Sequence, residues 1–310
     1  MTIAVVRNSW SASQSGETTT AGAVAMTGQT GQLIAVLDNC LVTRLGWTKT
    51  AIAANVAAYK APVGNGYYLY VDDSGTTTAR IAGGTTVQSQ FGAFPNETQF
   101  NGGMYLWKSS TADASNRAYF FWGDTKTFHL FVYSTTFNNF YSFGDFISLR
   151  YPNAEAGSTY IIGGNLAAPS ATTTNGLHIG SATLFAATVG HFIARQYTGL
   201  GNSVTACKYP QDLLSHRVAI YELGNWGLTY PFPPTGQMLM SRVLMCDTVI
   251  GPRGFMRGLM VPCHARPLGQ GEIIVGAAGT SLAGKTFELI YGAQDGCIFA
   301  EISDTWDDTP

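Results

Sequence analysis

The sequence predicts a mainly β protein: antiparallel, sandwich-like or barrel-like β domains preceded by one N-terminal amphipathic helix. Three observations predict it. From Trp47 onward, short runs rich in β-branched and aromatic residues alternate apolar with polar positions, the repeat of a half-buried strand. Turn formers such as Asp72-Asp73-Ser74-Gly75 and Gly123-Asp124-Thr125-Lys126 separate those runs. Before them, Gln29 to Leu45 sets apolar side chains at helical spacing.

Taken in order, residues 1–28 read as an extended arm, rich in Ser, Thr and Gly over 8–28. The helix follows, with Leu33, Ile34, Val36, Leu37, Cys40 and Leu41 on one face, Gly46 as its stop, and Thr27 or Thr30 as the side chain that caps its start. Tyr67–Val71 and Thr76–Ile81 are expected to pair as a hairpin, and so are Ala118–Trp122 and Thr127–Tyr133. Further strands are expected at 160–162, 178–188, 216–221, 238–245, 272–275, 286–291 and 297–302. Loop formers at 165–176 suggest a division into a helix-plus-β unit, 29–165, and a second β unit or a continuation of the first, 166–310. Lys126–Leu130 and Lys285–Leu289 echo one another, but too briefly to establish a repeat.

Composition narrows the function. Charged residues make up 12% of the chain, about half of the usual ~25%. A solvent-exposed monomer normally keeps itself soluble with mixed charge; here Gly, Ser, Thr and Asn take that role, and a neutral polar surface is cheaper to desolvate than a charged one. The chain is suited to being covered by neighbours. With a net charge of −2 and no basic run, it lacks the electrostatic footprint of a nucleic-acid binder. Cys40, Cys207, Cys246, Cys263 and Cys297 are widely spaced and odd in number, which reads as reduced thiols. The first residues hold too short an apolar run for a signal peptide, and no stretch approaches the roughly 18 apolar residues of a membrane span. Asn96-Glu97-Thr98 fits a glycosylation sequon, but nothing else suggests a secretory route.

The sharpest chemical motif is Gly279-Thr-Ser-Leu-Ala-Gly284-Lys285-Thr286, which satisfies the phosphate-binding loop pattern. That loop needs a helix after it, whose first amides cradle phosphate, yet the sequence beyond Thr286 alternates like a strand. Gly279, Gly284, Lys285 and Thr286 are therefore read as a turn, with no cofactor expected and with Lys285→Ala expected to leave assembly intact. Adjacent Cys263 and His264 lack the paired spacing of a zinc site, and on a strand they point to opposite faces, which prevents a thiol–imidazole dyad. Asp72-Asp73 and Asp307-Asp308 are read as turn and tail residues. The aromatic strip that includes Tyr119, Trp122, Phe128, Phe131, Tyr133, Phe137, Phe140, Tyr141 and Phe143 reads first as the core face of a sheet and second as a subunit interface. It could also stack sugars.

Three stretches resemble a group of tailed-bacteriophage virion proteins. They are GQTGQLIAVLDNCLVTRLGWTKT; the middle run YYLYVDDSGTTTARIAGG with GGMYLWKSS and NRAYFFWGDTKTFHLFVY; and GPRGFMRGLMVPCHARPLGQGE. Their order covers the chain from about residue 29 to 290. The resemblance implies a non-enzymatic component of the virion, made in the host cytoplasm. Its place would be in the tail or baseplate, in multiple copies, with itself and other virion proteins as partners. It transfers no functional residue. A capsid decoration or head–tail joining role, or a receptor- or glycan-binding module at the tail tip, are the alternatives.

Overall fold

The computed structural model describes residues 6–10, 19–87, 104–133, 138–150, 158–163, 177–178, 191–195, 204–208, 240–247, 251–262, 271–293, 296–303 and 305–306. Strand β1 (Val6–Trp10) precedes helix α1 (Gln32–Leu37), which runs into a π-helical stretch, Asp38–Arg44. A meander follows: β2 (Thr48–Ala53), β3 (Val56–Lys60), β4 (Tyr68–Asp72), β5 (Thr78–Gly84) and β6 (Met104–Trp107). Next come β7 (Tyr119–Gly123), β8 (Thr127–Tyr133), β9 (Asn138–Asp145), β10 (Ile147–Ser148), β11 (Thr159–Gly163), β12 (Leu177–His178), β13 (His191–Arg195) and β14 (Val204–Lys208). The last five are β15 (Met240–Asp247), β16 (Gly251–Pro262), β17 (Ile273–Val275), β18 (Thr286–Ala293) and β19 (Gly296–Glu301). The protein is mainly β, with antiparallel sheets and one short helical segment near its N-terminus.

The meander forms a 5-stranded sheet in sequence order, and the remaining strands form a 14-stranded sheet with the path β1-β7-β8-β9-β11-β13-β14-β15-β16-β19-β18-β17. This large sheet folds back on itself, so the chain is layered around its central strands. On one face Tyr119, Phe121, Phe128, Leu130, Val132, Tyr141, Phe143 and Ile161 pack against α1 and the inner face of the meander. On the other, Phe120, Trp122, Phe131, Tyr133, Phe140 and Tyr160 pack against Val243, Met245, Met256, Leu259 and Trp306. Alternate residues of β7, β8 and β9 thus enter two different cores. A strand covered on both faces loses its polar side and reads as a near-continuous apolar run, as Tyr119–Gly123 and Thr127–Tyr133 do.

The helix buries the predicted stripe, Leu33, Ile34, Val36, Leu37, Cys40 and Leu41, each large apolar side chain contributing about 1.5–3 kcal/mol. Gly46, at φ 70°, ends it as expected. Two expectations need correction. The α-helical part is short, because from Asp38 the backbone widens into the π form. Neither Thr27 nor Thr30 caps the start: the N-cap is Gly31, and Asp73, across the fold, accepts the N–H of Leu33 at 2.7 Å and of Ile34 at 3.2 Å.

Strand Thr127–Tyr133 has the predicted bounds; β4, β5, β7, β11, β15, β17, β18 and β19 overlap their predicted runs. Within the segment read as an arm, Val6–Trp10 pairs with β7. The loop at 165–176, the strand at 216–221 and most of that at 178–188 lie outside the described residues.

Candidate functional site: a buried polar seam and two open sheet edges

Polar side chains collect between the central strands and the layer that covers them. His129 on β8 is 0% exposed. Its Nδ1 is 2.8 Å from Ser142 Oγ on β9, and its Nε2 is 2.8 Å from the Arg257 carbonyl on β16. A carbonyl can only accept, so Nε2 of the neutral ring carries the proton and Nδ1 is an acceptor, and the single hydroxyl proton of Ser142 is shared between Nδ1 and the Phe128 carbonyl, which is also 2.8 Å from Oγ. Tyr160 on β11 sits 2.7 Å from Ser142 Oγ and completes the chain as a donor. Burial pushes His129 down to about 3, which keeps the ring neutral. Phe140 stacks on the imidazole, with ring centroids 5.7 Å apart, and Trp306 lies over it at 5.2 Å. Gly258, at φ 64°, makes room for Trp306, because a Cβ there would lie 2.1 Å from the indole.

Chemically, this is a serine beside an imidazole with no path to substrate. A nucleophile needs access and a base oriented to receive its proton in the reaction; here Ser142 is 1% exposed and its partner is held by a backbone carbonyl. The arrangement ties three strands of one layer to β16 of the other.

Two ion pairs flank it. Arg257 Nη2 donates to Asp124 Oδ2, while Asp124 Oδ1 accepts the N–H groups of Lys126 and Thr127, both at 2.8 Å. The turn predicted at Gly123–Lys126 is therefore pinned by its own carboxylate. Arg7 on β1 meets Glu288 on β18, and Trp122 Nε1 donates to the same carboxylate at 3.0 Å. Below the seam, Asp145 accepts from Thr159 Oγ1 at 2.6 Å and from the N–H of Asn65 at 2.7 Å; burial raises its carboxyl. That contact docks the β3–β4 loop on β9 and β11.

Asp73, read from the sequence as a turn residue, is instead fully buried with Lys108, which follows β6. Asp72 keeps the turn role, accepting the N–H of Ser74 at 3.1 Å.

The phosphate-loop motif lies in the connection between β17 and β18, which pair antiparallel. Gly279 and Gly284 take φ of 79° and 78° there. Lys285 Nζ bonds Glu301 at 2.9 Å, and Thr286 opens β18, its N–H donating to Ser303 Oγ at 2.8 Å. The strand continuing from Thr286 supplies none of the free helix amides that hold phosphate.

Among the described residues, no group of three or more His, Cys, Asp or Glu side chains is placed to hold a metal, and no helix is long and apolar enough to cross a membrane. The apolar void lined by Leu33, Leu37, Leu69, Ile81, Leu106 and Phe128 has a volume of about 10 Å³, barely one water. Cys40 is a buried thiol. Cys263, His264, Asn96-Glu97-Thr98, Phe137 and Asp307-Asp308 lie outside the described residues, as do the side chains of Cys207, Cys246 and Cys297. The other aromatics of the strip, from Tyr119 to Phe143, are buried in the two cores.

The accessible chemistry is at the sheet edges. Strand β17 ends the large sheet, and its Ile273 and Val275 are 58% and 68% exposed on one face. Strand β2 ends the meander and is exposed along almost all its length, its single charge, Lys49, held by Asp38 at 2.6 Å. No protein-family model and no curated protein matches the chain.

Proposed function

We propose that this chain is a structural subunit of a tailed-phage virion, assembling in multiple copies in the tail or baseplate, and that it is not an enzyme. The observation that carries the reading is the β17 edge, where Ile273 and Val275 stand exposed on a strand with an unpaired backbone edge among the described residues. Soluble monomers blunt such edges with Lys, Pro or bulges, because an open apolar strand recruits another chain. Here the strand reads Ile-Ile-Val. Edge pairing with a neighbouring copy or another virion protein would satisfy the backbone and cover both side chains. The low charge of the chain and its resemblance to virion proteins point the same way. A glycan-binding role finds less support, since the described aromatics of the strip are committed to cores.

The test joins two measurements. Light scattering of the purified full chain over rising concentration is expected to report oligomers, and quantitative mass spectrometry of purified phage particles is expected to find many copies. A chain that stays monomeric and is missing from particles overturns the reading. Copy number then assigns the location: a few at the tip, regular rings along a tube, or very many on a shell.

A further inference from the structure

Asp73 and Lys108 are both 0% exposed. Lys108 Nζ lies against Asp73 Oδ1 and also donates to the Gln29 carbonyl at 2.6 Å. The second oxygen, Oδ2, receives the backbone N–H groups of Leu33 and Ile34. The backbone on either side is pinned too: Asp73 N–H donates to the Asn55 carbonyl at 2.8 Å, and Lys108 N–H to the Thr77 carbonyl at 3.0 Å. Burial drives both groups toward their neutral forms, pushing Asp73 up to about 6 and Lys108 below its ordinary value. An amine is thus held against a carboxyl group, away from water, with two donors already placed on the oxygen that does not face it.

We propose that Lys108 Nζ and Asp73 Cγ become joined by an amide bond, an intramolecular cross-link formed once the chain has folded. Proton transfer from the ammonium to Oδ1 gives a neutral amine and a neutral carboxyl. The nitrogen lone pair then attacks Cγ, forming the C–N bond, while negative charge develops on Oδ2. The N–H groups of Leu33 and Ile34 point at that oxygen and stabilise the charge, in the manner of an oxyanion hole. As the carbonyl re-forms, the Cγ–Oδ1 bond breaks, and Oδ1 leaves as water with the proton it received first and a second one released by nitrogen. Nothing is oxidised or reduced. The remaining amide N–H keeps the Gln29 carbonyl as its acceptor. Fixed juxtaposition replaces an encounter between two chains, which is where the rate advantage arises.

The bond would close a loop through β5 and β6 and tether the meander beneath the first turn of α1. Its presence is read directly by mass. The purified full chain, fully denatured, is expected to weigh one water less than its sequence. Trypsin is expected to fail at Lys108 and to release a branched peptide joining the Asp73 and Lys108 segments. Lys108→Arg keeps the charge but cannot form this amide, and is expected to show the full sequence mass. A wild-type mass with no loss of water, or cleavage after Lys108 giving linear peptides only, overturns the proposal. So does a water loss that persists in Lys108→Arg, which would place the dehydration elsewhere. If Lys108→Arg does not fold, the branched peptide of the wild-type chain decides.

Discussion

Arg7 and Glu288, separated by 281 positions, form a two-pronged ion pair, Nε to Oε2 at 2.7 Å and Nη2 to Oε1 at 2.6 Å. Parallel N–H···O bonds of this kind are the strongest side-chain contacts available to a guanidinium. The pair brings β1, at one end of the long strand path, against β18, next to its other end. Trp122 Nε1 shares the carboxylate, so the contact reaches the central strands as well.

Glu288→Ala removes the acceptor of both Arg7 and Trp122. The expected loss is about 2–4 kcal/mol, since a buried partner of a charge is being deleted. Glu288→Gln, which retains one acceptor oxygen, is expected to lose less. Urea unfolding followed by tryptophan fluorescence checks both, and equal stability of wild type and Glu288→Ala would remove the closing role given to this pair.

Ser142→Ala and Tyr160→Phe each delete one hydroxyl from the seam, yet they should differ. Tyr160→Phe removes one donor and leaves Ser142 bonded to His129, at an expected cost of about 0.5–1.5 kcal/mol. Ser142→Ala takes away the hydroxyl that meets His129 Nδ1, the Phe128 carbonyl and Tyr160 together, at an expected cost of about 1–3 kcal/mol. Denaturation midpoints of the two variants, ranked the other way round, would contradict the place of Ser142 at the centre of this hydrogen-bond cluster.

His129 makes stability depend on pH. The unfolded imidazole takes up a proton near 6.5, the folded one only at about 3. Between these values the unfolded chain binds more protons, so this contribution is complete above 6.5 and is lost as pH falls through the window. The steepest expected slope is about 1.4 kcal/mol per pH unit. An Asp73 carboxyl raised to about 6 gives the opposite slope, with stability present below 3.8 and lost as pH rises through 6; an amide at Asp73 gives none. Unfolding midpoints of wild type and His129→Gln from about pH 4.5 to 7 are expected to show the falling limb in the wild type only.

Ile273→Lys with Val275→Lys places two charges on the open edge. Both positions are well exposed, so folding is expected to change by no more than about 0.5 kcal/mol each. Self-association is expected to weaken strongly. Sedimentation velocity distinguishes this from an edge without a role in assembly, in which case the sedimentation profile would be unchanged.

Much of the fold could be read locally. The near-continuous apolar run of Thr127–Tyr133 and the stripe from Leu33 to Leu41 are short-range patterns, and both elements formed there. Strand β16 was hidden because Gly251, Pro252, Gly254 and Gly258 look like loop chemistry. Their purpose is visible only once Trp306 is seen occupying the space beside Gly258. The polar seam was hidden for a related reason. As polar side chains, His129 and Ser142 read as solvent-facing, and nothing local reveals that β15, β16 and β19 cover them. Asp73 was misread likewise, since a carboxylate in a Gly- and Ser-rich turn looks exposed until Lys108 and the amides of α1 are brought to it. A usable signal did exist: a single His amid Phe128, Leu130 and Phe131 marks a polar residue on a strand with no polar side.

The central strands form a party wall. Phe121 and Phe128 belong to one room, Phe120 and Phe131 to the other, and all hang from the same hydrogen-bonded backbone. Loosening the wall strips both rooms at once. Cutting the chain after residue 165 would leave Phe120, Trp122, Phe131 and Phe140 facing water in place of Val243, Met256, Leu259 and Trp306, whereas the other core draws its buried residues from Met26 to Ile161.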